Sequence, residues 1–109
     1  MAQAHEDLVR SIRLFISEVG GLSIPTPTPG LLFDKVGRPV KIGRKGVLDI
    51  HACLRGRYIA IDAKIGRDKL KREQLAYASA VEAKGGIAFA AWSVDDVANR
   101  LKAEGLIDG

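Results

Sequence analysis

The stretch GVLDIHACLRGRYIAIDAK, residues 46–64, decides how this chain reads. Leu48, Ile50, Ala52 and Leu54 alternate with Asp49, His51 and Cys53, and the alternation resumes over residues 58–64. A period of two marks strands with one apolar face, and Arg55-Gly56 between the runs predicts a hairpin turn. With a two-residue turn, Leu54 pairs with Arg57 and Asp49 lies directly opposite Asp62. Lys64, two positions after Asp62, then shares a face with both carboxylates.

Opposed like charges destabilise a sheet by about 0.2–1 kcal/mol when exposed, and burial deepens the repulsion. A hard divalent cation offsets it, because Mg2+ takes one or two carboxylates together with waters and phosphate oxygens. Lys64 beside such a cation can hold an attacking water or steady charge developing on a phosphate. The same spacing also fits an amphipathic hairpin whose aspartates face solvent, with Lys64 as an ion-pairing neighbour. A three-residue turn would part the pair altogether. The downstream segment favours convergence: residues 71–84 carry apolar and small side chains that need a sheet face to cover.

Working outward, Leu8, Ile12, Phe15, Ile16 and Val19 form one helical stripe that ends at Gly20-Gly21. In residues 23–30, Pro25, Pro27 and Pro29 remove backbone donors, which predicts a loop without regular pairing. Residues 31–34 and 39–42 are candidate short strands joined at Gly37, with Pro39 suggesting an edge. Leu70, Gln74, Tyr77, Ala78 and Val81 recur at helical spacing up to Gly85-Gly86. Residues 87–92 are a continuous apolar run suited to a covered strand, and Ser93 with Asp96 predicts a capping box for a last helix reaching about Glu104. The expected architecture is α/β, a mixed central sheet flanked by helices, in one domain over residues 1–109.

Formal net charge is +4 with a pI near 9.5, which favours a polyanionic partner. The cations concentrate at Arg44, Lys45, Arg55, Arg57, Lys64, Arg67, Lys69, Lys71 and Arg72, which makes all but Lys64 candidate DNA contacts. The hydrophobic share of 47% and charged share of 28% are those of a globular chain rather than a disordered one. Cys53 is the only cysteine, so an internal disulfide and a cysteine cluster for zinc are excluded. It reads as a small buried apolar residue in a reducing, cytoplasmic setting. There is no signal-peptide pattern, and no apolar run approaches the ~20 residues of a membrane span.

The ordered set Gly46-Val47-Leu48-Asp49, Arg55-Gly56-Arg57-Tyr58-Ile59-Ala60-Ile61-Asp62-Ala63-Lys64, Gln74-Leu75-Ala76-Tyr77 and Gly85-Gly86 resembles the VRR-NUC family of PD-(D/E)XK nucleases. The likeness runs over residues 46–97, and a glutamate on the first helix, Glu6, extends it. It implies a restriction-endonuclease-like fold and a Mg2+ site, with Mn2+ able to substitute, held by Asp49, Asp62 and the Ala63 carbonyl, with Glu6 as a further candidate ligand. Lys64 would be the catalytic lysine and Gln74 the helix glutamine bordering the site, while Tyr77 completes a QxxY pattern and otherwise reads as a core aromatic. Two positions depart from the family: Asp62 stands where it usually has Glu, and Leu48 where it usually has Pro. Neither change removes a metal ligand, and the shorter arm of Asp62 would shift the ion within the same ligand set. His5 and His51 lie outside the matched motif, and His51 reads first as an ordinary strand residue.

The function so implied is metal-dependent endonucleolytic hydrolysis of DNA, on branched, flapped or Holliday-junction substrates, since compact family members look like phage or mobile-element proteins and resemble junction-resolving enzymes. Its rivals are a DNA-binding module that has lost cleavage, and an assembly module that binds RNA or an acidic protein. A homodimer is expected, because one metal site cuts one strand whereas resolving a junction takes two symmetric cuts. Leu31, Leu32 and Phe33, or Leu106 and Ile107, could cover a partner or pack within the monomer.

Overall fold

A computed structural model describes residues 2–26, 31–33, 35–41 and 46–108. Along them run α1 (Ala2–Glu18), β1 (Leu22–Pro25), β2 (Leu31–Phe33), β3 (Pro39–Lys41), β4 (Ile50–Leu54), β5 (Arg57–Ala63), α2 (Arg72–Ala83), β6 (Ile87–Ala91) and α3 (Val94–Ala103). Arg55 and Gly56 both adopt positive φ, +52° and +77°, so the β4–β5 turn has the mirror-image geometry whose twist suits a two-residue hairpin. Leu54 therefore pairs with Arg57 and Ile50 with Ile61, which is the register that sets Asp49 against Asp62.

The main sheet has the order β1-β4-β5-β6. β1, β4 and β5 are mutually antiparallel, and β6 joins β5 in parallel through α2, the crossover such a pair requires. The fold is thus α/β with a mixed sheet, as expected. β2 and β3 form a separate antiparallel hairpin. No helix among the described residues is long and apolar enough to cross a membrane.

Strand alternation sorts the side chains into two cores. Ile50, Ala52, Leu54, Ile59, Ile61, Ala63, Ile87, Phe89 and Ala91 face Ile12 and Ile16 of α1 and Val97 and Leu101 of α3. Leu106 lies in this same core with Ile107 packed against it, which assigns both to the monomer. On the opposite face α2 lays Ala78 and Val81 over Ala60 and Ala88, and Leu48 joins them. Alanines on both sides let α2 sit close to the sheet.

Three expectations change. Residues 22–25 pair as a strand in spite of Pro25. Thr26 N–H donates to Asp49 O at 2.7 Å, so Thr26 and Asp49 form a hydrogen-bonded pair, and the adjacent Pro25–Ile50 pair is of the kind that needs no donor. Pro27, Pro29, Asp34, Ile42, Arg44 and Lys45 lie outside the described residues. Cys53 is exposed, because α2 covers the β5–β6 half of its face and leaves β1 and β4 open. The Ser93 hydroxyl caps α3 by accepting from Asp96 N–H, but the Asp96 carboxylate reaches back to Trp92 N–H rather than closing a strict box.

Gly46 takes φ +83°, and a Cβ there would collide with the Glu73 carbonyl in the first turn of α2. The backbone leading to Asp49 thereby lies directly against the helix that carries Gln74.

Candidate functional site

At the carboxyl end of β5, His5, Asp49, Asp62, Ala63, Lys64, Asp68, Lys69, Lys71 and Gln74 line a cleft of about 240 Å³. Asp62 is only 2% exposed and Lys64 8%, which disposes of the solvent-facing reading of this strand. Lys64 Nζ lies 2.8 Å from Asp62 Oδ2 and 3.1 Å from Gln74 Oε1, and Gln74 Nε2 donates to Asp62 Oδ2 at 3.3 Å. Gln74 Oε1 also accepts the Lys71 N–H at 2.9 Å, so one amide both closes the start of α2 and braces the lysine.

The two aspartates grip each other's strands. Asp49 N–H donates to Asp62 Oδ1 at 3.1 Å, and Ala63 N–H donates to Asp49 Oδ2 at 2.9 Å. Burial raises the Asp62 carboxyl above the ordinary aspartate range, and the neighbouring Asp49 charge adds to this while Lys64 opposes it. A buried carboxylate beside a second one is held ionised at a cost, and any added cation would relieve it.

The donor set suits a hard divalent ion in kind. Two carboxylates converge, and Asp49 Oδ1 has no hydrogen-bond partner among the described residues. The Ala63 N–H points to Asp49, and a strand residue presents its N–H and C=O on the same edge, so the Ala63 carbonyl faces that side too. Among the described residues no group of three or more His, Cys, Asp and Glu side chains converges as a metal cage. Water and substrate oxygens would have to complete the shell, which is how Mg2+ is ordinarily held.

α1 presents His5 to this cleft, whereas Glu6 is exposed and is not among the lining residues. His5 Nε2 lies 3.0 Å from Asp49 Oδ2. The signal was available in the stripe: His5 is three residues before Leu8 and seven before Ile12, on the sheet-facing side, and Glu6 is a hundred degrees away.

The hairpin arginines sit elsewhere. Arg57 is five residues from Asp62, roughly 17 Å along an extended strand, and bonds Gly85 O at 3.0 Å and Glu104 Oε1 at 3.1 Å. Arg55 neighbours Phe15, Val19 and Lys102 at that far end. Lys69 and Lys71 line the cleft, with Arg67 and Arg72 exposed nearby in sequence.

A hydrogen-bonded chain flanks the site. The Thr26 hydroxyl donates to Leu48 O and so accepts from His51 Nε2 at 2.8 Å. Burial lowers the His51 pKa and keeps the ring neutral, so Nδ1 accepts from the Tyr58 hydroxyl at 2.5 Å, which in turn accepts from Tyr77 at 2.9 Å. Tyr77 is thus partly a core aromatic and partly the helix end of a strap running to the residue before Asp49.

In comparisons with known proteins, no protein-family model matches the chain, and no curated protein matches it.

Proposed function

We propose that the protein is a metal-dependent DNA endonuclease of the VRR-NUC type, with a restriction-endonuclease-like fold. The observation that carries this is the convergence of Asp49, Asp62, Lys64 and Gln74 at one cleft, with the acid–lysine pair buried. A buried ion pair adds little to stability over an apolar pair of similar shape, so its presence beside a second carboxylate points to chemistry.

Asp49, Asp62 and the Ala63 carbonyl would hold Mg2+ or Mn2+. Such an ion, when bound, supplies Lewis acidity to a water and to the phosphate. Lys64, fixed by Gln74, directs its ammonium at the attacking water or at the phosphate oxygen that gains charge. Water adds to phosphorus, the bond to the leaving oxygen breaks, and its protons end on that oxygen and in solvent, leaving a phosphate monoester and an alcohol. Incubation with duplex, flapped and four-way DNA under Mg2+, Mn2+ or EDTA tests this. Metal-dependent nicking is expected, and binding without cutting would favour a cleavage-deficient module.

The DNA grip falls to the loop between β5 and α2. Alanine at both Lys69 and Lys71 is expected to weaken DNA binding and to reduce the log–log salt slope by up to about 2, at roughly 0.9 per phosphate contact. The Arg55/Arg57 double alanine variant should leave that slope unchanged, since Arg57 is engaged with Glu104 at the other end of the sheet. A slope lowered by the arginine pair and not by the lysines would place DNA on the hairpin.

The working unit we propose is a homodimer on branched DNA. Leu22 and Ile24 on the outer strand β1 are 80% and 62% exposed, which offers a two-fold apolar contact. Sedimentation at micromolar protein should give twice the monomer mass, and mixing with Asp62→Asn subunits should turn paired cuts into single nicks. A monomer mass with unaltered paired cutting removes the dimer.

A further inference from the structure

The nuclease reading leaves Trp92, exposed at the end of the sheet that carries the cleft, without a role. We propose that Trp92 is a stacking subsite for an unpaired nucleobase, so that DNA with single-stranded nucleotides next to the cut is the preferred substrate class; this rests on the nuclease reading of the same site.

β5 and β6 run parallel in register, Ala63 beside Ala91, and Lys64 N–H donates to Ala91 O at 2.9 Å. Trp92 is the next residue, so its backbone lies alongside that of Lys64 at the same end of the sheet. Phe89 and Ala91 enter the core under α1 and α3, while Ala88 enters the core under α2. β6 ends at Ala91 and Trp92 follows it in a bend, so the residue leaves the sheet at the end where Asp62 and Lys64 stand.

Phe89 and Ala91 are buried, yet Trp92 is 44% exposed. Leu75 on α2 is 54% exposed. It lies seven residues before Glu82, on the same helix stripe, and Glu82 reaches Arg100 of α3. Leu75 therefore lies on the side of α2 that faces β6, and Trp92 follows β6 at the cleft end of the sheet. The Trp92 backbone is held, with its N–H on Asp96 Oδ2 at 2.8 Å and Asp96 N–H on the Ser93 hydroxyl at 3.1 Å. A rigidly framed indole loses little freedom on binding.

Charge selects the occupant. The segment beside the cleft exposes Arg67, Lys69, Lys71 and Arg72 against Asp68 and Glu73. An apolar ring at the same end of the sheet as these cations fits a ligand with a flat apolar face on an anionic chain, which describes a nucleotide. Bases in intact duplex hide their faces in the stack, so an indole can meet one only at a flap, gap, end or branch.

Trp92 is the only tryptophan, so intrinsic fluorescence reports on it alone. The Asp62→Asn protein, in metal-free buffer, is titrated with a blunt duplex and with the same duplex bearing a single-stranded tail. Expected are quenching by the tailed DNA and about ten-fold tighter binding of it, the usual effect of stacking one base on an aromatic side chain. Trp92→Ala should lose that preference and Trp92→Phe should keep part of it. Equal affinity and equal quenching for both DNAs would overturn the proposal, as would a preference retained in Trp92→Ala. A fluorescence change on self-association without DNA would give Trp92 to a partner copy instead. Quenching by tailed DNA with no metal-dependent cutting by the unmodified protein would sink the nuclease reading and keep the subsite. Metal-dependent cutting with identical substrate preference in Trp92→Ala would do the reverse.

Discussion

Asp62→Asn is expected to lower metal-dependent cleavage by about a thousand-fold or more while the protein stays folded. A lost Lewis-acid site is worth several kcal/mol of transition-state stabilisation, and each ~1.4 kcal/mol is a factor of ten. Folding is spared because two effects oppose each other. Asparagine removes the buried charge that Asp49 repels, and it keeps an acceptor for Asp49 N–H. Against this, Lys64 loses its anionic partner but retains Gln74 Oε1. Single-turnover cleavage alongside a thermal melt checks both halves. Cleavage undiminished in a folded variant would falsify the assignment of Asp62 as a ligand, and Asp62→Glu, which restores the charge on a longer arm, should recover a measurable part of the rate.

Gly46→Ala is expected to cost about 2–5 kcal/mol and to lower Tm by more than ~10 °C. Left-handed backbone costs a residue with a Cβ roughly 1–2 kcal/mol, and forcing atoms into a filled space adds about 1–3 kcal/mol. The obstacle here is the Glu73 backbone, which cannot swing aside as a side chain could. Relief requires moving α2 away from the segment that leads to Asp49, so the spacing of Gln74 and Lys64 from the carboxylates should loosen with it. A melt within a few degrees of the parent protein would show that this contact does not hold the two segments together.

The hairpin was legible in the sequence itself, and its acid pair followed once the turn length was known. Period-two alternation, a turn pair tolerant of positive φ, and the rule that opposing positions keep one sum are local properties, so residues 46–64 set Asp49 against Asp62 for a two-residue turn, and the positive φ of Arg55 and Gly56 chose that turn over a three-residue one. The helix at residues 72–83 was equally legible from its spacing and its Gly85-Gly86 stop. Which side chains then met was decided by how the helices docked. α1 turned His5 and not Glu6 into the cleft, since the angle between adjacent helical positions matters only once a helix has a sheet to lie on. α2 covered half of one sheet face, which left Cys53 outside and put Tyr77 within reach of Tyr58. Arg57 found Glu104, 47 positions away in the chain, and was withdrawn from the cationic set that its sequence neighbours suggested. Contacts at such separation have no local signature, because they depend on where rigid elements pack and not on the propensities of the residues that make them.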